Sequence, residues 1–166
     1  MRTLGIDPGL RITGYGLVQC PPGTIEPRLI EGGVIKLDAK LPVADRLLQL
    51  AEDLDQIIDQ TKPGRVAVEK IYAHYAHPRT AIIMAHARGV ILLAARRHGL
   101  PLVELGATEV KKAMTGNGHA SKRQMQLAVQ GQFRLAEPPS PPDVADAIAI
   151  ATCAARRLAA EGLAAR

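Results

Sequence analysis

The apolar period of this chain switches several times, and the order of those switches leaves few folds open. Arg2 to Asp7 is a short, alternating apolar run that stops at Pro8-Gly9, a turn pair. Ile12 to Gln19 and Arg28 to Lys36 read as two further strands, divided by the turn-rich Pro21-Pro22-Gly23. Connections this short predict an antiparallel meander. The period then lengthens: Ala44, Leu47, Leu48, Ala51, Leu54, Ile57 and Ile58 fall at helical spacing between Val43 and Ile58. Arg65 to Glu69 reads as a compact buried strand, Thr80 to Arg97 as a helix apolar almost all round, and Pro101 to Leu105 as another strand. Two shorter helices are predicted near Ala107–Met114 and Ser121–Gln132. A Pro-rich link, Glu137 to Pro142, leads into a last helix from Asp143 to about Ala160. The order β-β-β-α-β-α-β-α-α-α predicts an α/β fold, a central five-stranded mixed sheet flanked by helices on both faces.

Nothing divides the chain. With 166 residues and no internal repeat, residues 1–166 read as one domain with one sizeable core. The formal charge of +5 is compatible with a phosphate-rich partner and equally with a soluble protein that happens to be basic. Cys20 and Cys153 are too few for a disulfide framework and form no C-x-x-C pair, so a reducing, cytoplasmic setting is expected. Asp7 interrupts the apolar run that a signal peptide needs, and Ala81 to Ala95, broken by His86 and Arg88, is too short to span a bilayer.

Four acids stand where acids are costly. Asp7 follows Leu4-Gly5-Ile6 at the end of the first strand, and Glu69 follows Val66-Ala67-Val68 at the end of the fourth. Ligands of open α/β sheets gather outside the carboxyl ends of strands, so the two can converge. Asp143 and Asp146 lie three apart on the last helix, about 60° apart around its axis. Asp146 sits inside Val144-Ala145-Asp146-Ala147-Ile148-Ala149-Ile150, an otherwise apolar stretch. A buried carboxylate loses several kcal/mol or takes up a proton unless a partner holds it. Mg²⁺ is such a partner, and four acids around two ions roughly 3.5–4 Å apart suit in-line phosphodiester cleavage. Each acid also has a plainer reading. Asp7 suits a turn, Asp143 a helix cap after Pro141-Pro142, and Glu69 a surface ion pair with Lys70 or Arg79.

The basic and aromatic residues point the same way less sharply. Lys111-Lys112 and Lys122-Arg123 flank the glycine-containing loop Thr115-Gly116-Asn117-Gly118, where lysines can contact phosphates; a solvated charge cluster fits too. Tyr72 and Tyr75 follow the Glu69 strand, and an exposed tyrosine there can stack on a splayed base or pack against the core.

Taken together these residues carry a resemblance. Gly5-Ile6-Asp7-Pro8-Gly9, Thr13-Gly14-Tyr15-Gly16, Val68-Glu69, Ala87-Arg88-Gly89, Val110-Lys111, Ser121-Lys122 and Asp143-Val144-Ala145-Asp146-Ala147-Ile148-Ala149-Ile150-Ala151 resemble the motifs of RuvC Holliday-junction resolvases, in order. The similarity runs from residue 3 to about 155. It implies a ribonuclease H-like fold and a homodimer that cuts two opposing strands of a four-way DNA junction symmetrically, leaving ligatable nicks in recombination and repair. It gives Asp7, Glu69, Asp143 and Asp146 catalytic, metal-binding roles with Mg²⁺ as cofactor, for which Mn²⁺ can substitute. Some family members carry His at the position of Asp143. Lys111 and Lys122 match basic residues near the scissile phosphate, with Lys112 and Arg123 beside them on DNA, and Tyr72 matches an aromatic implicated in unstacking bases. The branch-migration proteins RuvA and RuvB are the implied partners. Competing readings are a YqgF-like RNA-processing nuclease, a non-catalytic nucleic-acid binder and an actin-like ATPase. Paired acids on the last helix oppose the binder, and the lack of a second lobe opposes the ATPase.

One expectation concerns assembly. Ile82, Ile83, Met84, Val90, Ile91, Leu92 and Leu93 surround most of the Thr80–Arg97 helix, and one sheet covers only one face. Part of this helix is expected at a subunit interface, with burial under other helices of the same chain as the alternative.

Overall fold

A computed structural model describes residues 1–70 and 78–164. Its strands are β1 (Arg2–Asp7), β2 (Ile12–Gln19), β3 (Arg28–Lys36), β4 (Val66–Glu69) and β5 (Leu102–Leu105). Its helices are α1 (Val43–Thr61), α2 (Pro78–Arg97), α3 (Ala107–Thr115), α4 (Lys122–Phe133) and α5 (Pro142–Ala164). The five strands form one sheet in the order β3-β2-β1-β4-β5. β1, β2 and β3 pair antiparallel through short turns, while β4 joins β1, and β5 joins β4, in parallel. The expected five-stranded mixed α/β sheet is therefore what the chain forms. Observed ends differ from the expected ones by a few residues, most at the helix C-termini. There α1 continues to Thr61 and α5 to Ala164, because no proline or glycine stops either at the expected point.

Side chains alternate across each strand, and the two faces are covered by different helices. Leu4 and Ile6 of β1 pack with Leu50 and Leu54 of α1 and Ile91 of α2. Ala67, Val103 and Leu105 pack on the opposite side with Val110 of α3, Met125 of α4 and Ile148 of α5. α2 is less uniformly exposed than its sequence suggests. Ala87, Ile91, Ala94 and Ala95 are buried, so Ile91 belongs to the core, and Met84 and Ile83 border the cleft described below. Ile82, Ile83 and Leu93 remain exposed. Among the described residues no helix is long and apolar enough to cross a membrane.

Candidate active site

Register places the first two acids side by side. Gly5 and Ile6 of β1 lie beside Ala67 and Val68 of β4, so Asp7 and Glu69 end adjacent parallel strands. Each lies two residues beyond a position that faces α5, Gly5 or Ala67, and so shares that face. The turn after Asp7 is closed by the buried Thr13 hydroxyl, which donates to the Gly9 carbonyl at 2.6 Å and accepts the Gly9 N–H at 3.2 Å.

The other two acids arrive because α5 lies unusually close to the sheet. Gly5, Gly16 and Gly32 are register partners across β1, β2 and β3, and a Cβ at Gly16 would lie 2.8 Å from the Ile148 Cα. Gly14 is opposite Asp7 in the ladder, and a Cβ there would run into the Asp143 backbone carbonyl. At Gly5, Gly14 and Gly16 the backbone of α5 occupies the space of a side chain, and at Gly32 the side chains of Ile148 and Val144 come close to it. The helix is thereby held with Asp143 beside Asp7. From Val144 to Ala155 every residue is buried except Asp146, which is half-buried where the helix meets the cleft.

Lys111 and Lys122 come from the helices after β5. Ser121 caps α4: its Oγ accepts the Gln124 N–H at 3.2 Å, and the Gln124 Oε1 accepts the Ser121 N–H at 2.8 Å. This fixes Lys122 as the first residue of the helix. α3 ends at Gly116, whose positive φ of 76° lets its N–H reach the Lys112 carbonyl at 2.9 Å. Asp7, Glu69, Asp143, Asp146, Lys111 and Lys122 all line one cleft of about 1070 Å³.

The electrostatics report their proximity. Burial, then Asp146, Asp143 and Glu69, push the Asp7 carboxyl from 3.8 up to about 8, against an opposing pull from Lys122. Burial and Asp146 raise Glu69, with Lys111 opposing. Burial raises Asp146; Lys122 and Lys111 lower it and Asp143 raises it. Crowded carboxylates of this kind match the oxygen-donor chemistry of a hard divalent cation, which relieves both burial and repulsion. Among the described residues, no three acid, His or Cys side chains are already drawn into a closed ligand set. The carboxylates line the cleft rather than meet at a point.

Lys112 and Arg123 are exposed on α3 and α4 and do not line the cleft. Tyr72 lies outside the described residues, as does Tyr75. Two features escaped the sequence reading. Arg88, noted only within a motif, donates from Nε to the Glu69 carbonyl at 3.2 Å and pairs with Glu104, bracing the end of β4 against α2. The capping box at Ser121 is written in the sequence as S-x-x-Q, a pattern that marks the start of α4.

A sheet in this order, with acids at the ends of β1 and β4 and on the helix across them, defines a ribonuclease H-like α/β protein. The family model described as "Crossover junction endodeoxyribonuclease RuvC" matches residues 3–154. A crossover junction endodeoxyribonuclease RuvC of Rhodopirellula baltica is 46% identical over 152 residues, spanning 90% of this chain and 83% of the relative. Another, from Hydrogenovibrio crunogenus, is 43% identical over 157 residues, spanning 95% and 88%. A structure of "T. thermophilus RuvC in complex with Holliday junction substrate" superposes with a TM-score of 0.87 at 34% identity, spanning 97% of this chain and 96% of that one. The yeast mitochondrial Holliday junction resolvase Ydc2, at 14% identity and a TM-score of 0.66, shares the fold. The chain belongs to the RuvC family of crossover junction endodeoxyribonucleases.

Proposed function

We propose that this chain resolves four-way DNA junctions by hydrolysing one phosphodiester bond in each of two opposing strands, leaving ligatable nicks. The observation that carries this reading is the single cleft in which Asp7, Glu69, Asp143 and Asp146 face Lys111 and Lys122. In it the four carboxylates would hold two Mg²⁺ ions, or Mn²⁺ in their place, with Asp143 at the position where some relatives use His. When bound, such a pair activates the attacking water and stabilises the leaving 3′ oxygen. Lys111 and Lys122 draw the scissile phosphate in and offset the acids' charge, which otherwise repels DNA. Lys112 and Arg123 extend the basic surface outside the cleft. Tyr72, proposed from sequence, stacks on a base splayed at the crossover.

Two symmetric cuts need two copies of the site. The exposed stripe Ile82, His86, Gly89 and Leu93 on α2 supports a homodimer. Gly89 sits mid-helix, where glycine costs about 1 kcal/mol against alanine, and a Cβ there meets nothing within 4 Å among the described residues. A smooth, largely apolar helix face left exposed among the described residues suits close approach by the same face of a second copy. RuvA and RuvB are the proposed partners and the cytoplasm the proposed compartment.

Incubating the protein with synthetic four-way junctions, plain duplexes and RNA–DNA hybrids, with and without Mg²⁺, tests the reading. Paired symmetric nicks in the junction alone, only with metal, are expected. Cleavage of hybrids in preference to junctions, or binding with no metal-dependent cleavage, would overturn it.

A further inference from the structure

The same cleft has a second basic wall that the proposed chemistry does not use. It is built from the β1–β2 turn, the end of β3, the chain that follows it and the first turn of α1, and it presents Arg11, Lys36, Lys40 and Arg46. These segments lie on the β3 side of the carboxylates, whereas Lys111 and Lys122 come from helices that follow β5. Two bonds between distant segments lock the wall. The Leu37 N–H donates to the Arg11 carbonyl at 2.9 Å, and the Arg46 guanidinium donates to the Leu10 carbonyl at 2.9 Å. Leu10 follows Asp7 by three residues, so the wall is fixed to the strand end that carries an acid of the site.

Its charges are unspent. Arg11, Lys36 and Lys40 are exposed, and none of the four cations forms an ion pair among the described residues. Asp38, which also lines the cleft here, has a carboxylate oxygen turned into its own loop, accepting the Lys40 N–H at 2.9 Å. The Arg46 Nε–H is buried without a hydrogen-bond partner among the described residues. A buried donor without a partner is costly, so the Arg46 guanidinium keeps hydrogen-bonding capacity that the protein does not use. Four cations along one side of a cleft, none of them ion-paired with the cleft's own carboxylates among the described residues, fit a repeating polyanion rather than a single phosphate.

We infer that Arg11, Lys36, Lys40 and Arg46 form a phosphate-binding wall that grips the DNA backbone away from the cut, on the side of the cleft opposite the catalytic lysines. The inference rests on the reading of the cleft as a junction nuclease site. The test is the salt dependence of DNA binding by the full chain without divalent metal. Arg11→Gln/Lys40→Gln removes two exposed charges and keeps most of both stems; Arg46 is left alone because it holds Leu10. A control, Arg28→Gln/Lys62→Asn, removes two charges at the far end of the sheet.

The wall variant should lower junction affinity by about tenfold or more near 0.1 M salt. Its plot of log affinity against log salt should be shallower by roughly one unit per lost phosphate contact. The control should keep the wild-type slope, and Arg11→Lys/Lys40→Arg, which retains the charges, should restore it if the glutamine variant proves unstable. A wild-type slope in the glutamine variant, or an equal loss in the control, would overturn the wall. If the wild-type chain shows no preference for junctions over duplex, the junction reading fails by itself. The same slopes, measured on duplex, still decide the wall.

Discussion

At the scale of single residues, chemistry and binding should separate. Asp7→Asn, Glu69→Gln and Asp146→Asn keep their shapes but cannot supply a carboxylate, and a neutral amide is a poor Mg²⁺ ligand. Cleavage should fall by orders of magnitude, while metal-free junction affinity stays level, as for Asp7→Asn, whose carboxyl already holds its proton below about pH 8, or rises slightly where a charge that repels DNA is lost. Gel shifts and cleavage on one labelled junction measure both; a well-folded Asp146→Asn protein cutting at the wild-type rate would remove the helix acids from the mechanism. Asp7 also sets a pH dependence. Its carboxyl titrates near 8 when folded against 3.8 when free, so the folded metal-free protein binds this proton more tightly than the unfolded chain. Stability from this source is complete below about pH 4 and is lost as pH rises through about 8. Glu69 and Asp146 are raised too and act in the same direction. Melting temperatures of the metal-free protein should therefore decline between pH 5 and 8, and Asp7→Asn should flatten that decline. Parallel curves for the two proteins would show that Asp7 does not govern it.

At the scale of elements, the position of α5 decides whether the acids meet. Gly14→Ala places a methyl against the Asp143 backbone, which cannot rotate away. Overpacking of this kind costs on the order of 1–3 kcal/mol, and the helix relieves it by lifting from β2. Gly14→Ala should lower thermal stability and also depress cleavage well beyond what the lost folded fraction explains. Gly162→Ala, on the same helix where a Cβ meets nothing, should change neither. The elements themselves were legible, because runs such as Val66-Ala67-Val68 and the spacing of Leu47, Leu54 and Ile58 announce their period. The site acids were legible for a related reason: Asp7 and Glu69 end apolar strands, and Asp146 interrupts an apolar helix. The glycine row was not, because Gly5, Gly16 and Gly32 align only once the register of three strands is known. Arg11, Lys36 and Arg46 were hidden similarly, each looking like an ordinary surface charge until two loops are tied together.

At the scale of the whole molecule, the proposed homodimer turns on α2. Sequence predicted apolar residues nearly all round this helix; burial of Ala87, Ile91 and Ala95 against the sheet narrows the free surface to one stripe. A side chain at Gly89 would keep a second helix at a distance without disturbing this chain's own packing, because that position is open. Gly89→Leu should therefore leave the fold and its circular dichroism intact while shifting sedimentation from dimer to monomer. Leu93→Glu should do the same by desolvating a charge at the interface. If both variants sediment as the wild type does, the interface lies elsewhere.

The glycine row has a consequence for anyone who wishes to transplant the proposed active centre. Copying the four acids and two lysines onto another five-stranded sheet would reproduce the inventory of the site but not its spacing. A host whose strands carry ordinary side chains under the crossing helix would hold Asp143 and Asp146 a side chain's height above Asp7 and Glu69. The graft would need residues with no chemistry of their own at positions matching Gly5, Gly14, Gly16 and Gly32, and a search of genomes for working copies would do well to score those glycines together with the acids.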